Sequence, residues 1–322
     1  MPVELVKEKW VGKVAEVTIG ATREQGGTRT STITIGGETT LPFLQFEGAV
    51  PHKPRVAMEI WDRPPADWPE VLTAPFGDVV KDPASWAKKC VEFGAEAICL
   101  RLVSIDPEGE NASAEDAART VKAVLQAVGV PLIIRGCGSF EKDNIVMPKV
   151  SEAAAGENCL LGIAEQDNYK SLVAASMMNN HCLIPQAPID INIQKQLNIL
   201  VTEMGMKPEK IVMDPTTGGV GYGIEYTYSI MERIRLGALQ GDKMLSMPMI
   251  VFAGQEAWRA KEAKEPTEKA PEWGPQEKRG PLWEIITATT LLQAGADLLV
   301  TRHPEATAAL LKHIDKLMKT KA

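Results

Sequence analysis

From residue 55 onward the chain alternates short aliphatic or β-branched runs with polar turns, then with segments whose apolar residues recur at helical spacing. The runs fall at 55–62, 95–103, 131–137, 159–164, 183–187, 211–214, 249–253 and 298–302. Helix starts stand between them: Asp82 ahead of Pro83, Ser113 with Asp116 three residues later, and Asn168, Asp190 and Pro304 ahead of others. The stretches Ile211, Val212, Met213 and Leu298, Leu299, Val300 are apolar throughout, as strands buried on both faces of a parallel sheet are. Eight βα units close into a barrel more naturally than they spread, so the expected fold is α/β, a TIM (β/α)8 barrel. The competing doubly wound open sheet would carry G-x-G-x-x-G after its first strand, and none follows residues 55–62.

Two segments fall outside this rhythm. Residues 14–19 and 31–35 alternate on either side of the turn-rich Glu24, Gln25, Gly26, Gly27, which predicts an N-terminal β-hairpin extension over residues 1–54. Such a hairpin either plugs the amino-terminal end of the barrel or adds contact surface for a partner, and plugging is the simpler expectation. Residues 55–322 then form the barrel, with a charged insertion at about 258–281 whose 261–280 stretch is rich in Lys, Glu and Pro.

Composition removes several function classes. A net charge of −7 and a pI near 5.4 argue against non-specific binding to nucleic acid, which needs a lysine- and arginine-rich surface. No apolar run approaches the ~20 residues of a membrane span, and residues 1–10 are charged where a secretory signal would be apolar. The expected location is the cytoplasm. The five cysteines, Cys90, Cys99, Cys137, Cys159 and Cys182, form no CxxC pair and no spacing suited to a metal or cluster, so they read as buried free thiols. Only Cys137, at a glycine-flanked strand end, invites a functional alternative.

Functional groups of α/β barrels gather beyond the carboxyl ends of the strands. After the sixth run comes Asp214-Pro215-Thr216-Thr217-Gly218-Gly219-Val220-Gly221-Tyr222-Gly223. Its glycines let backbone approach a ligand closely, and its threonines add hydroxyls, so Thr216, Thr217, Gly218, Gly219, Gly221 and Tyr222 are the first candidate ligand contacts. The bland alternative is a loop with special backbone angles. The loop lacks the Gly-Lys-Ser/Thr ending of a P-loop, which excludes triphosphate chemistry.

Other strand ends offer Glu59, Asp62, Arg135, Gly136, Cys137, Gly138, Gln166, Asp167, Asn168, Gln186, Asp190, Asn192, Gln255, Arg302 and His303. Of these, Gln186, Asn192 and Arg302 are weaker binding candidates. Amides outnumber acid–base groups, and of the four histidines only His303 stands at the working end. A pterin-binding reading would require Asp167, Asn168 and Asp190 to face one pocket, whereas Asn168 and Asp190 equally suit N-caps. No catalytic residue and no metal ligand is assigned.

The stretch from Asp214-Pro215-Thr216-Thr217-Gly218-Gly219 through Tyr222-Gly223-Ile224-Glu225-Tyr226-Thr227-Tyr228-Ser229-Ile230-Met231-Glu232 resembles the small subunit of the corrinoid iron–sulfur protein, the delta subunit of the acetyl-CoA decarbonylase/synthase complex. Ala187-Pro188-Ile189-Asp190-Ile191-Asn192 with Lys195-Gln196-Leu197-Asn198, and Gln240-Gly241-Asp242-Lys243-Met244, agree with it. The resemblance covers most of the chain. It implies a barrel related to pterin-dependent methyltransferases, paired as a heterodimer with a large subunit that carries the iron–sulfur cluster and the cobalamin domain. The cysteine spacing here fits that division, and the Asp-x-His-x-x-Gly pattern of many cobalamin domains is missing.

The implied function is to cover cobalamin, held mainly by the large subunit, while a methyl group passes from methyltetrahydrofolate and its methyltransferase to acetyl-CoA synthase/CO dehydrogenase. That places the chain in the anaerobic acetyl-CoA pathway of carbon dioxide fixation. Covering one corrin face with barrel-end backbone and amides would limit side reactions of a strongly reducing cobalt. The large-subunit interface is expected at the barrel mouth and the hairpin, since obligate interfaces bury more than ~2,000 Å². Two alternatives stay open: a barrel that binds methyltetrahydrofolate and transfers the methyl group by itself, and a structural subunit whose mouth never meets the corrin.

Overall fold

The computed structural model describes residues 6–319; the first half of the charged amino-terminal stretch, residues 1–5, lies outside the described residues. Parallel strands β3 (Arg55–Trp61), β4 (Ala97–Arg101), β5 (Leu132–Arg135), β6 (Leu160–Ala164) and β7 (Cys182–Pro185) pair in sequence order, while β9 (Leu298–Thr301) pairs with both β3 and β8 (Ile250–Val251). The remaining gap is filled by residues 211–214. Val212 N–H donates to Leu183 O at 3.0 Å and Asp214 N–H to Pro185 O at 2.9 Å on one side. On the other, Met213 N–H donates to Pro248 O at 2.8 Å and Ile250 N–H to Met213 O at 2.9 Å. Eight parallel strands therefore close on themselves, with no edge left to cover. All eight runs expected from the sequence are present.

Each strand alternates between two cores. Ala57, Cys99, Ile133, Leu160, Ile184, Val212, Ile250 and Val300 point into the barrel, and Val56, Ile98, Leu132, Leu161, Leu183, Met213 and Leu299 point out beneath the helices. That double burial is why the strands read as continuous apolar runs. Asp82 caps its helix by accepting from Ser85 N–H, Ser113 and Asp116 form a capping box, and Asp190 accepts from Asn192 and Ile193 N–H.

The hairpin forms as expected: β1 (Val17–Ile19) pairs antiparallel with β2 (Ile33–Ile35). Val17, Ile19, Ile33 and Ile35 turn their side chains onto the barrel interior and join its core. The hairpin thus plugs the barrel's amino-terminal end. Arg29, from the connecting loop, fixes it there. Its Nε meets Glu157 Oε2 at 2.8 Å, Nη1 donates to Val128 O at 2.6 Å, and Nη2 donates to Leu125 O at 2.6 Å. The plug consequently lies at the opposite end from the strand termini where a site is expected. Among the described residues no helix is long and apolar enough to cross a membrane.

Candidate functional site

The floor of the barrel mouth is made where inward-facing positions of β3, β4, β5 and β9 run out of apolar residues. Glu59 is fully buried there. It accepts from Trp61 Nε1 at 2.6 Å and from Arg302 Nη2 at 2.7 Å, while Arg135 Nη1 stands 3.8 Å from its other oxygen. Burial alone would raise its pKa, yet the guanidiniums of Arg302, Arg135 and Arg101 overcome that and hold the carboxyl down at about 2. Three cations thus surround one anion.

The arginines are kept in place by aromatic faces. Arg302 lies 4.6 Å from the Trp68 ring centroid, Arg135 3.7 Å from Phe252, and Arg101 5.7 Å from Trp61. Arg135 also donates to Gln255 Oε1 at 2.9 Å. Arg101 differs: its Nε is buried without a partner, and its guanidinium donates to no described residue. Burial lowers its pKa and Glu59 opposes that shift.

Beside this floor opens a pocket of about 100 Å³ between Arg101 and Arg135 on one wall and Glu165, Asn168 and Gln186 on the other. The turn Gly136, Cys137, Gly138 wraps Asp143, whose carboxylate accepts from Cys137 N–H and Gly138 N–H, both at 3.0 Å. A Cβ on Gly136 would stand 2.3 Å from that carboxyl, so only glycine fits. Burial pushes the Cys137 thiol up to about 11, which makes it a poor nucleophile at neutral pH. Burial, with the neighbouring Asp167, raises the Glu165 carboxyl. Asn168 makes no cap bond to its helix; its Oδ1 accepts from Glu165 N–H at 2.7 Å and its Nδ2 donates to Ile163 O at 3.0 Å, fixing the pocket's far wall.

Asp214 closes the opposite side. Burial pushes its carboxyl up to about 6, against hydrogen bonds from Gln186 Nε2 and from Thr216 N–H at 2.9 Å. Glu284 is also fully buried, accepting from Arg302 N–H, His303 N–H and Trp258 Nε1, and burial pushes it up to about 7. His303 accepts from Glu305 N–H through Nδ1 at 3.2 Å, so the one histidine at this end is a helix-start residue.

The glycine-rich loop forms the rim. Thr216 (φ 67°) donates through Oγ1 to Ala187 O at 2.8 Å, and Thr217 Oγ1 accepts from Phe252 N–H at 2.8 Å. Gly218 N–H donates to Thr227 Oγ1 at 2.8 Å, and Gly219 O accepts from Tyr222 N–H at 2.9 Å. Gly221 (φ 76°) turns the chain, leaving Tyr222 half-exposed with its hydroxyl donating to Glu262 Oε2 at 2.9 Å. Most of these polar groups are thus partnered within the fold. Asn192 lies apart, in a separate cleft of about 190 Å³ with Asp190, Tyr226 and Arg233. Of the weaker candidates, Gln186 and Arg302 do reach the mouth.

Sequence reasoning named Glu59, Arg135, Gln186, Gln255 and Arg302 but passed over Arg101 and Glu165. The signal for Arg101 was available: Ala97, Cys99 and Arg101 are successive inward positions of one strand, and an arginine ending such a series must meet the mouth. Among the described residues no cluster of three or more His, Cys, Asp or Glu is arranged to hold a metal.

Residues 16–265 match the family described as CO dehydrogenase/acetyl-CoA synthase delta subunit. The chain is 42% identical to the acetyl-CoA decarbonylase/synthase complex subunit delta of Archaeoglobus fulgidus, over 96% of this chain and 71% of that one. It is 40% identical to the subunit of the same name from Methanocaldococcus jannaschii, over 98% and 76%. Among solved structures, dihydropteroate synthases share the fold. That of Xanthomonas albilineans superposes with a TM-score of 0.57 at 13% identity, covering 84% of this chain and 94% of that one. The Vibrio fischeri enzyme gives 0.57 at 13%, over 85% and 96%.

Proposed function

The chain belongs to the CO dehydrogenase/acetyl-CoA synthase delta subunit family, and from that membership we propose that it is the small subunit of a heterodimeric corrinoid iron–sulfur methyl carrier. Its barrel mouth covers the corrinoid that a large subunit holds. The observation that carries this reading is the mouth itself, where the guanidiniums of Arg302, Arg135 and Arg101 surround the Glu59 carboxylate and leave its Oε2 without a hydrogen-bond partner. Such a surface binds and shields.

The fit to a corrinoid is with its polar rim. Buried atoms without partners cluster at the mouth floor, Glu59 Oε2 with the Nε atoms of Arg101, Arg135 and Arg302, and a corrin rim carries carboxamides that both donate and accept. His303 Nδ1 already accepts from Glu305 N–H at 3.2 Å. The corrinoid, once bound, supplies a cobalt that accepts and releases a methyl group. This chain's residues orient the ring's edge through Arg101, Arg135 and Gln186 and exclude water with the Thr216–Tyr222 rim.

The proposal extends to the neighbours. The large corrinoid iron–sulfur subunit docks over the mouth, where Tyr222 is exposed on the rim. A methyltetrahydrofolate methyltransferase delivers the methyl group and acetyl-CoA synthase receives it, in the cytoplasm. Residues 1–54 act as an extension to a barrel of residues 55–322, with 258–281 an insertion beside Tyr222. Because the hairpin's apolar face plugs the amino-terminal end of the barrel, the proposed docking surface is the mouth at the other end.

Anaerobic co-purification from native cells tests the whole reading. A heterodimer with corrinoid and iron–sulfur absorption is the expected result. A colourless homo-oligomer that binds methyltetrahydrofolate would replace it with an independent methyltransferase.

A further inference from the structure

We propose that the mouth pocket is a receptor for one primary carboxamide group, its carbonyl oxygen held by Arg101 and Arg135 and its NH2 by Glu165. This deepens the corrinoid reading and rests on it for the natural source of the group, not for the chemistry of the pocket.

The pocket's walls decide the ligand class. Arg101 faces it with no hydrogen-bond acceptor of its own, and Arg135 keeps its Nε unpartnered beside it. An arginine so buried and so unsatisfied is costly without an acceptor supplied from outside. Glu165 faces the same space from the opposite wall, half-buried, and its carboxylate accepts no hydrogen bond from a described residue. Asp143, the other acidic group in the lining, already accepts from Cys137 and Gly138 N–H. A free oxyanion would satisfy the arginines and be repelled by Glu165. A cation would do the reverse. A neutral group with an acceptor on one edge and a donor on the other satisfies both walls, and a primary carboxamide is the smallest that does.

Size agrees. About 100 Å³ is room for roughly three water molecules, which suits an amide head with its first methylene. Two sources carry that chemistry: the acetamide and propionamide arms of a corrin rim, and an Asn or Gln side chain of a partner subunit.

The test reads the reactivity of Arg101 toward phenylglyoxal by peptide mass spectrometry on the folded chain, with propionamide, propionate or propylamine as competitors. A fragment of this size binds at roughly 25 mM, so about 0.1 M propionamide slows modification of Arg101 about fivefold. Propionate and propylamine are expected to protect far less. Equal or better protection by propionate, or none by propionamide, overturns the proposal. The Glu165→Ala variant, which removes a side chain bonded to nothing else, is expected to lose the preference for propionamide over propionate. A preference that survives it overturns the assignment of the NH2.

The native complex distinguishes the sources. Arg101 protected in the corrinoid-loaded complex and reactive again after corrinoid removal assigns the group to the corrin. Protection that persists assigns it to a partner's amide side chain. Arg101 as reactive in the complex as alone, with propionamide still protecting the free chain, refutes the corrinoid-facing mouth and leaves the pocket's chemistry standing.

Discussion

Replacing Glu59 by glutamine keeps the shape of the mouth floor and removes the one charge that three arginines share. The side-chain carbonyl of glutamine can still accept from Trp61 or Arg302, so the loss is electrostatic. Breaking a buried ion pair costs about 3–5 kcal/mol, and the retained acceptor places this change at the lower end, about 3 kcal/mol. The depression of the carboxyl from its ordinary 4.5 to about 2 gives the same size, since each pH unit is worth about 1.4 kcal/mol. In thermal unfolding of a 322-residue chain that is a fall of about 4–5 °C in midpoint. The sign with pH follows from the lowered folded-state value. The stabilisation is complete above 4.5 and is lost as pH falls from there toward 2, so wild type and Glu59→Gln should converge in that window and differ fully at pH 7. Urea titrations of both proteins at pH 7 and near pH 3 measure it. A difference under about 1 kcal/mol at pH 7, the size of an exposed pair, would refute the claim that Glu59 holds the arginines.

Arg29→Met should cost about 3 kcal/mol, because it leaves Glu157 buried without its partner. Hydrogen exchange should then show residues 17–35 opening before the barrel strands. Gly218→Val places a Cβ 2.6 Å from Gly223 O, so the rim must rearrange at about 1–3 kcal/mol. Corrinoid content of the complex should fall with it, and a variant with unchanged content and stability would remove the rim from the site. Glu284, pushed up to about 7, keeps a proton between pH 4.5 and 7 that the unfolded chain has released. Stability should therefore fall as pH rises through that window, by at most about 3 kcal/mol, and Glu284→Gln should flatten the dependence.

The barrel was legible because its physics is local and repeated. Strands such as Leu298–Thr301, buried on both faces, must read as unbroken apolar runs, and caps such as Asp82 and Ser113 announce helices within three residues. Even the hairpin's plugging role follows from its alternation, since Val17, Ile19, Ile33 and Ile35 need an apolar surface and the open barrel end offers one. The site was legible only in part. A glycine-rich loop advertises freedom, yet here Thr217, Gly218 and Gly219 direct their polar groups to Phe252, Thr227 and Tyr222. What a loop amide bonds to depends on elements tens of residues away, and sequence periodicity does not carry that. Arg101 and Glu165 line one pocket only because β4 and β6 flank β5 in a closed barrel.

The same arrangement decides between covering a cofactor and performing the methyl transfer on a pterin. A catalytic mouth needs a titratable group free to exchange a proton with the ligand. Asp214 is pushed up to about 6, but Gln186 and Thr216 hold it. Glu284 is committed to three N–H donors, and His303 to Glu305. Glu165 is unclamped, and the pocket it faces, at about 100 Å³, falls short of the 300 Å³ or so at which small-molecule pockets begin. Arg135, on the pocket's wall, is fixed by its bond to Gln255 and its stacking on Phe252. The dihydropteroate synthase likeness therefore describes how the strands close, while the side chains that fill the mouth favour a barrel that grips the edge of a larger ring presented from outside.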